Sequence, residues 1–218
     1  MLKNKRYIFW DWNGTLLDDA RYAHQLLVTM MEARKMTPIT FEQYQYFYEH
    51  PLERLYQRAG FSFKDEPFEK LAHEWHEKYL NDLESVDLYD DARETLFRCK
   101  AAGIRQAILS ALPHSILERE VRSRGLGGFF DHIQGAPDTR ATGKIEYGQR
   151  LMKVWGAEPA QSVLIGDTSH DVEVAEELGI DCFLVARGAE HRDRLRRHNM
   201  PILLNFCQLW QMGDGMGS

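Results

Sequence analysis

Two apolar runs in this chain stop at a carboxylate. Tyr7-Ile8-Phe9-Trp10 is followed by Asp11, and Val163-Leu164-Ile165-Gly166 by Asp167, with Asp171 four positions further on. Neither run alternates with polar residues, which suits strands buried on both faces of a parallel sheet. In open α/β sheets ligands bind outside the carboxyl ends of the strands. Asp11 and Asp167 therefore fall where a catalytic carboxylate belongs. A carboxylate is ionised at neutral pH, so Asp11 brings charge to such a site. Together with Asp167, and with Asp171 as a ligand or a partner of one, it offers the oxygen donors that hard Mg²⁺ prefers. For a lone Asp a turn or a helix cap is the commoner role, and Asp171 suits the cap of a helix over 172–178. Finding the pattern twice tips the balance toward a site.

The elements that position these residues follow from the periodicity. From Ala20 to Asp87 the chain reads as nearly all helix. Tyr22, Leu26, Leu27 and Met30 fall at helical spacing, as do Phe68, Leu71, Ala72, Trp75 and Tyr79, while Pro51 is placed to open a helix between them. His73 and His76 share a helix without zinc-ligand spacing and read as a solvated face. Asp90 is a candidate N-cap for a helix over 91–102 closed by Gly103, and a strand over 104–109 then ends in Ser110. A helix over 115–124 stopped by Gly125 and a strand over 130–134 come next. Lys144 lies just before a helix marked by Tyr147, Leu151, Val154 and Trp155 and stopped by Gly156. Beyond Asp167, His170 reads as a loop residue. Strands over 180–186 and 201–204 flank a basic helix over 191–198, whose arginines read as an exposed face. Strands alternating with helices give an α/β fold, a doubly wound parallel sheet, with a helical block inserted after its first strand.

Composition limits the function classes. At 218 residues the chain can bury a sizeable core, and a net charge of −6 argues against nucleic-acid and acidic-membrane partners. Cys99, Cys182 and Cys207 are odd in number and lack CxxC spacing, so a reducing, cytoplasmic setting is expected. No signal peptide of the usual build and no membrane span are legible, and residues 212–218 read as a frayed end. The oligomeric state is not legible.

The run Asp11-Trp12-Asn13-Gly14-Thr15-Leu16-Leu17-Asp18 resembles the first motif of the haloacid dehalogenase superfamily, Asp-x-Asp-Gly-Thr-Leu-x-Asp, with Asn13 in the third place. The run Gly166-Asp167-Thr168-Ser169-His170-Asp171 resembles its acidic metal motif. The resemblance extends over essentially the whole chain and points to the phosphoglycolate phosphatase type. It implies a catalytic core over 1–18 and 88–218, with a helical cap over 19–87. It implies Asp11 as nucleophile and Mg²⁺ ligand, the Asn13 carbonyl, Asp167 and Asp171 as further ligands, and Lys144, in Ala-Thr-Gly-Lys, as the charge that steadies nucleophile and phosphoryl group. Thr15 and Ser110 fall at phosphate-contacting positions, Ala111 stands where the family often has Asn, and His50 and Arg54 are cap candidates for substrate contact.

The implied reaction is two-step phosphoryl transfer from a small phosphorylated substrate. The family's acid/base side chain is missing at Asn13, a loss worth roughly 10²–10⁴-fold where a proton must be moved. Three readings remain open: substrates with good leaving groups, an acid supplied by the cap (Glu49, His50 or Glu53), or a slow or degenerate member that binds a phosphorylated ligand or a protein partner. The phosphonoacetaldehyde hydrolases of the superfamily need a cap Lys, and none occurs between Lys35 and Lys64. Its dehalogenases work without metal, which the intact acidic motif opposes. Asn13-Gly14 is also a sequence prone to deamidation, which would restore Asp at 13.

Overall fold

The computed structural model describes residues 1–137 and 143–210; Ala141, Thr142 and the 212–218 end lie outside them. Six strands form one parallel sheet: β1 (Tyr7–Trp10), β2 (Arg105–Pro113), β3 (His132–Ala136), β4 (Ser162–Gly166), β5 (Asp181–Val185) and β6 (Ile202–Leu203). Their order is β3-β2-β1-β4-β5-β6. The apolar run of β1 is explained by its place between β2 and β4, with Ile8, Phe9 and Trp10 all fully buried. Ile8 and Trp10 face one layer, made by helices α5 (Ala92–Ala101) and α6 (His114–Ser123). Phe9 faces the other, made by α7 (Lys144–Trp155) and α8 (Ser169–Leu178). The order reverses between β1 and β4, so the crevice at the carboxyl ends of those two strands is where a doubly wound sheet takes its ligand.

Between β1 and α5 lie α1 (Ala20–Ala33), α2 (Phe41–Phe47), α3 (Glu53–Arg58) and α4 (Phe68–Asn81), gathered around their own apolar cluster of Leu27, Met30, Met31, Tyr44, Tyr56 and Leu71 among others. Thr40 and Gln43 start α2 with a reciprocal capping box, which satisfies two of the helix's first N–H groups. Tyr79, near the end of α4, packs with the sheet's cluster instead, so the last turn of α4 is built into the base of the sheet layer. No helix among the described residues is long and apolar enough to cross a membrane.

Several sequence boundaries shift. β2 does not end at Ser110 but runs on to Pro113, with an irregular register against β3 between Leu109 and Pro113, because Leu112 continues the burial. β3 starts at His132, after a 3₁₀ turn over Gly127–Phe129. The residue before α5 is Asp91 rather than Asp90, and its carboxylate accepts from Arg187 Nη1 and the Phe206 N–H instead of capping. The basic stretch holds only one helical turn, α9 (Arg192–Leu195), and a 3₁₀ turn that ends at Asn199 with φ 53°. His170 lies in the first turn of α8, not in a loop, and Lys144 is the first residue of α7 rather than a residue before it.

Candidate active site

Asp11 continues β1 by one residue, its N–H donating to the Ile165 carbonyl at 2.9 Å, and Asp167 follows β4. The two strand ends bring these carboxylates together with Asp171, from the first turn of α8: oxygens of all three lie within 4.8 Å of one another. Lys144, at the start of α7, donates from Nζ to Asp11 Oδ1 at 2.7 Å and to Asp171 Oδ1 at 2.6 Å. Thr15 Oγ1 lies 3.4 Å from Asp11 Oδ2 and 3.3 Å from Asp167 Oδ1. Asp171 serves the helix as well. Its Oδ2 accepts from the Thr168 N–H and hydroxyl, so the cap reading and the site reading are both met by one side chain.

The backbone leaves room for this charge only where it carries no side chain. A Cβ on Gly14, at φ +67°, would sit 2.2 Å from Asp167 Oδ2, and one on Gly188 would sit 2.0 Å from it. Asp167 Oδ2 in turn accepts from the Ala189 N–H at 2.6 Å. Burial lifts the Asp11 carboxyl to about 7, with Lys144 opposing and Asp171 adding. Burial, Asp11 and Asp171 raise Asp167 well above the carboxylate range. Burial also works against charge on Asp171, but Lys144 and the Thr168 hydrogen bonds outweigh it and hold this carboxyl low. Burial thus opposes charge on Asp11, and Lys144 favours it. Two charges at 4 Å interact by about 4 kcal/mol at an effective dielectric near 20, so among the described residues three carboxyl groups facing one ammonium are unbalanced. The hard oxygen donor set and the cleared space fit Mg²⁺.

The remaining candidates fall around this cluster. Ser110 is buried on β2, next to β1, where its Oγ accepts from the Leu112 N–H at 3.1 Å, and half-buried Ala111 follows it. His50 reaches the core from the helical block, its ring 4.8 Å from that of His170, and burial together with His170 lowers its pKa to about 4. Arg54 is exposed and lies 3.8 Å from Glu49. Glu49 is no free acid: Arg58 and Arg194 hold it at 3.0 and 3.4 Å.

Asn13 is engaged in a way the sequence does not announce. Its Nδ2 lies 2.9 Å from Asp19 Oδ2 and 2.6 Å from the Tyr79 hydroxyl. The Gly14 N–H donates to Asp19 Oδ1 at 2.6 Å, which occupies the nitrogen that deamidation would require. Asp19 escapes a sequence reading because it looks like a helix cap. Tyr79 is visible only as one apolar position of a stripe. Tyr48 is a further missed neighbour: it packs 5.9 Å from His50, and its hydroxyl is raised well above the usual phenol range by burial, Tyr44, Asp167 and Asp11.

Comparison with known proteins decides the family. The haloacid dehalogenase-like hydrolases match residues 8–185. The chain belongs to this family. The phosphoglycolate phosphatase of Colwellia psychrerythraea is 26% identical over 216 residues, covering 90% of this chain and 91% of that one. The phosphoglycolate phosphatase of Pseudomonas syringae pv. syringae is 27% identical over 129 residues, 58% of this chain and 47% of its own length, so the match spans about half of that relative. Among solved structures, the haloacid dehalogenase-like hydrolase SP0104 from Streptococcus pneumoniae superposes with a TM-score of 0.79 at 20% identity, over 95% of this chain and 99% of that one. That likeness of fold covers the helical block as well as the sheet.

Proposed function

We propose that this family member is a Mg²⁺-dependent phosphatase that takes a small phosphorylated metabolite through an aspartyl phosphate on Asp11. The observation that carries the reading is Asp11 at the end of β1, held by Lys144 and sharing a 4.8 Å cluster with Asp167 and Asp171. Residues 1–18 and 88–218 form the catalytic core in this reading, and 19–87 the cap over it. The protein works in the cytoplasm, on small molecules rather than nucleic acid.

The cation would be held by Asp11, Asp167 and the Asn13 carbonyl, with Asp171 completing or bracing the set. When bound it supplies positive charge that keeps Asp11 ionised and neutralises the phosphate. Asp11 attacks phosphorus in line while Lys144 holds its other oxygen and balances charge on the phosphoryl group. Thr15 and Ser110 supply hydroxyls on the phosphate side of the site, and His50 closes it from the cap. Water then cleaves the aspartyl phosphate. Asp11→Asn exchanges the carboxylate for an amide of the same shape, so the fold should survive by circular dichroism and melting temperature. Hydrolysis of an aryl phosphate in Mg²⁺ should fall by roughly 10³-fold or more. Parent-level activity in that variant would remove Asp11 from the reaction and overturn the reading.

A further inference from the structure

Asp19 stands at the N-cap position of α1, yet its side chain makes no capping bond. Its carboxylate turns back toward the loop after Asp11. There it accepts from the Gly14 N–H, from Asn13 Nδ2 and from the Tyr79 hydroxyl, the last at 2.6 Å. Tyr79 gives its proton to Asp19, so it can only accept from Asn13 Nδ2, 2.6 Å away. Both N–H bonds of the Asn13 amide are thereby used. The two ends of an amide are alike in shape, and the partners decide which is which. A carboxylate that receives three donors cannot face a carbonyl oxygen, so Nδ2 must point to Asp19. Oδ1 is left over, in a half-buried side chain and without a partner among the described residues.

We propose that Asp19 and Tyr79 are positioning residues that lock Asn13 with its carbonyl toward the reaction centre, and that this restricts the substrates to phosphates whose leaving group departs as a stable anion. The inference rests on the phosphatase reading and narrows its substrate class. An acceptor cannot give a proton to a leaving oxygen. As Asp11 bonds to phosphorus, the bond to the leaving oxygen breaks and its electron pair goes out unprotonated. Carboxylates and phenolates tolerate that, whereas alkoxides do not. In the second step an acceptor is useful, because it orients the attacking water. The water oxygen bonds to phosphorus, the bond to Asp11 breaks, and both water protons leave on the product H₂PO₄⁻. The preferred substrates are acyl and aryl phosphates. In this respect the chain departs from what its relatives' names suggest, since phosphoglycolate is an alkyl phosphate.

The test combines kinetics with a probe of the amide itself. Acetyl phosphate, p-nitrophenyl phosphate, phenyl phosphate and phosphoglycolate are compared in Mg²⁺ for the parent, Asp11→Asn, Asp19→Asn and Tyr79→Phe. For the parent, kcat/KM should fall by at least ~10²-fold from acetyl phosphate to phosphoglycolate, the scale of a missing general acid. Asp19→Asn and Tyr79→Phe should lower kcat on acetyl phosphate with KM unchanged, and should narrow the spread across the series. Tyr79→Phe keeps the buried ring, so it carries the test where Asp19→Asn does not fold. Independently of metal and activity, the Asn13 side-chain NH₂ in ¹⁵N NMR should exchange slowly in the parent and rapidly in both variants. Equal rates across the series, or a fast-exchanging Asn13 amide in the parent, overturn the proposal. Activity that Asp11→Asn leaves intact fails the phosphatase reading and the substrate restriction with it, while amide exchange still reports on the lock alone.

Discussion

In the proposed reaction Asn13 sets what the site can do, and its neighbour Asp19 sets what can replace it. The family's Asp at this position would stand about where Asn13 Nδ2 now stands, 2.9 Å from Asp19 Oδ2. Two ionised carboxylates at that distance repel by roughly 6 kcal/mol at an effective dielectric near 20. Asn13→Asp alone should therefore lower the melting temperature at neutral pH, and the loss should shrink as pH falls and one carboxyl of the pair takes up a proton. Asn13→Asp with Asp19→Asn should recover both the melting temperature and activity on alkyl phosphates. A single variant as stable as the parent at neutral pH would show that the two side chains do not share the pocket. The same contacts bear on ageing. With the amide pinned and the Gly14 N–H bound to Asp19, Asn13 should keep its mass in folded protein on incubation and deamidate only after denaturation, as peptide mass spectrometry would show. Asp11, Lys144, Asp167 and Asp171 were legible in the sequence because residue type, strand ends and spacing coincide there. Asp19 and Tyr79 were not, because their bond joins positions 60 residues apart that each have an ordinary local role.

At the scale of elements, the loop after β5 joins the helical block to the carboxylates. Gln45 Nε2 donates to the Gly188 carbonyl at 2.8 Å, the His191 N–H donates to the Gln45 carbonyl at 3.1 Å, and the next N–H along the loop, that of Ala189, supports Asp167. Arg194 links Glu49 of the block to Glu190, which itself accepts from the Ser169 N–H and hydroxyl. Strands and helices could be placed from periodicity, whereas this loop offers no period and no motif, so its role emerges only from the packing. Gly188→Ala would press a methyl onto Asp167 Oδ2 and the Gly14 carbonyl. It should cost on the order of 1–3 kcal/mol of stability and weaken the Mg²⁺ response together; a neutral effect in denaturant unfolding would show that the loop can move away. His50 reports on the same junction. Its pKa of about 4 in the fold lies below the ordinary 6.5, so the unfolded chain takes up the proton first and stability is lost as pH falls from 6.5 to 4. The groups that set this are His170, Asp171, Lys144 and Glu173. His50→Gln should melt with a shallower pH dependence over that window; parallel curves would place His50 in water.

The whole molecule is a doubly wound sheet whose strand order fixes one crevice, and the chain assembles unbalanced negative charge there. That architecture was readable because the runs 7–10 and 163–166 are apolar and each is followed by Asp; the partners of the cap were not, since any helical bundle shows the same stripes. Among the described residues one lysine faces three buried carboxyl groups, and ionising them all opposes folding. Asp11, at about 7, and Asp167 are both raised above their unfolded values, so the folded state holds these protons more tightly and the cation-free protein should lose stability as pH rises from about 4 toward neutral. A cation bound only by the folded state reverses this. At a free concentration 100 times its dissociation constant it adds about 2.7 kcal/mol, which for a chain of this size is a rise of roughly 5–10 °C in melting temperature. Mg²⁺ titrated into chelator-treated protein should produce that rise. Asp167→Asn should abolish the rise and, having removed a buried carboxyl whose ionisation the fold opposes, melt higher than the parent in chelator. The two effects have opposite signs, so a general loss of fold cannot imitate them. A parent that Mg²⁺ leaves unchanged, or a variant that melts lower than the parent in chelator, would mean that Lys144 alone balances the cluster and that the carboxylates serve the fold rather than a cation.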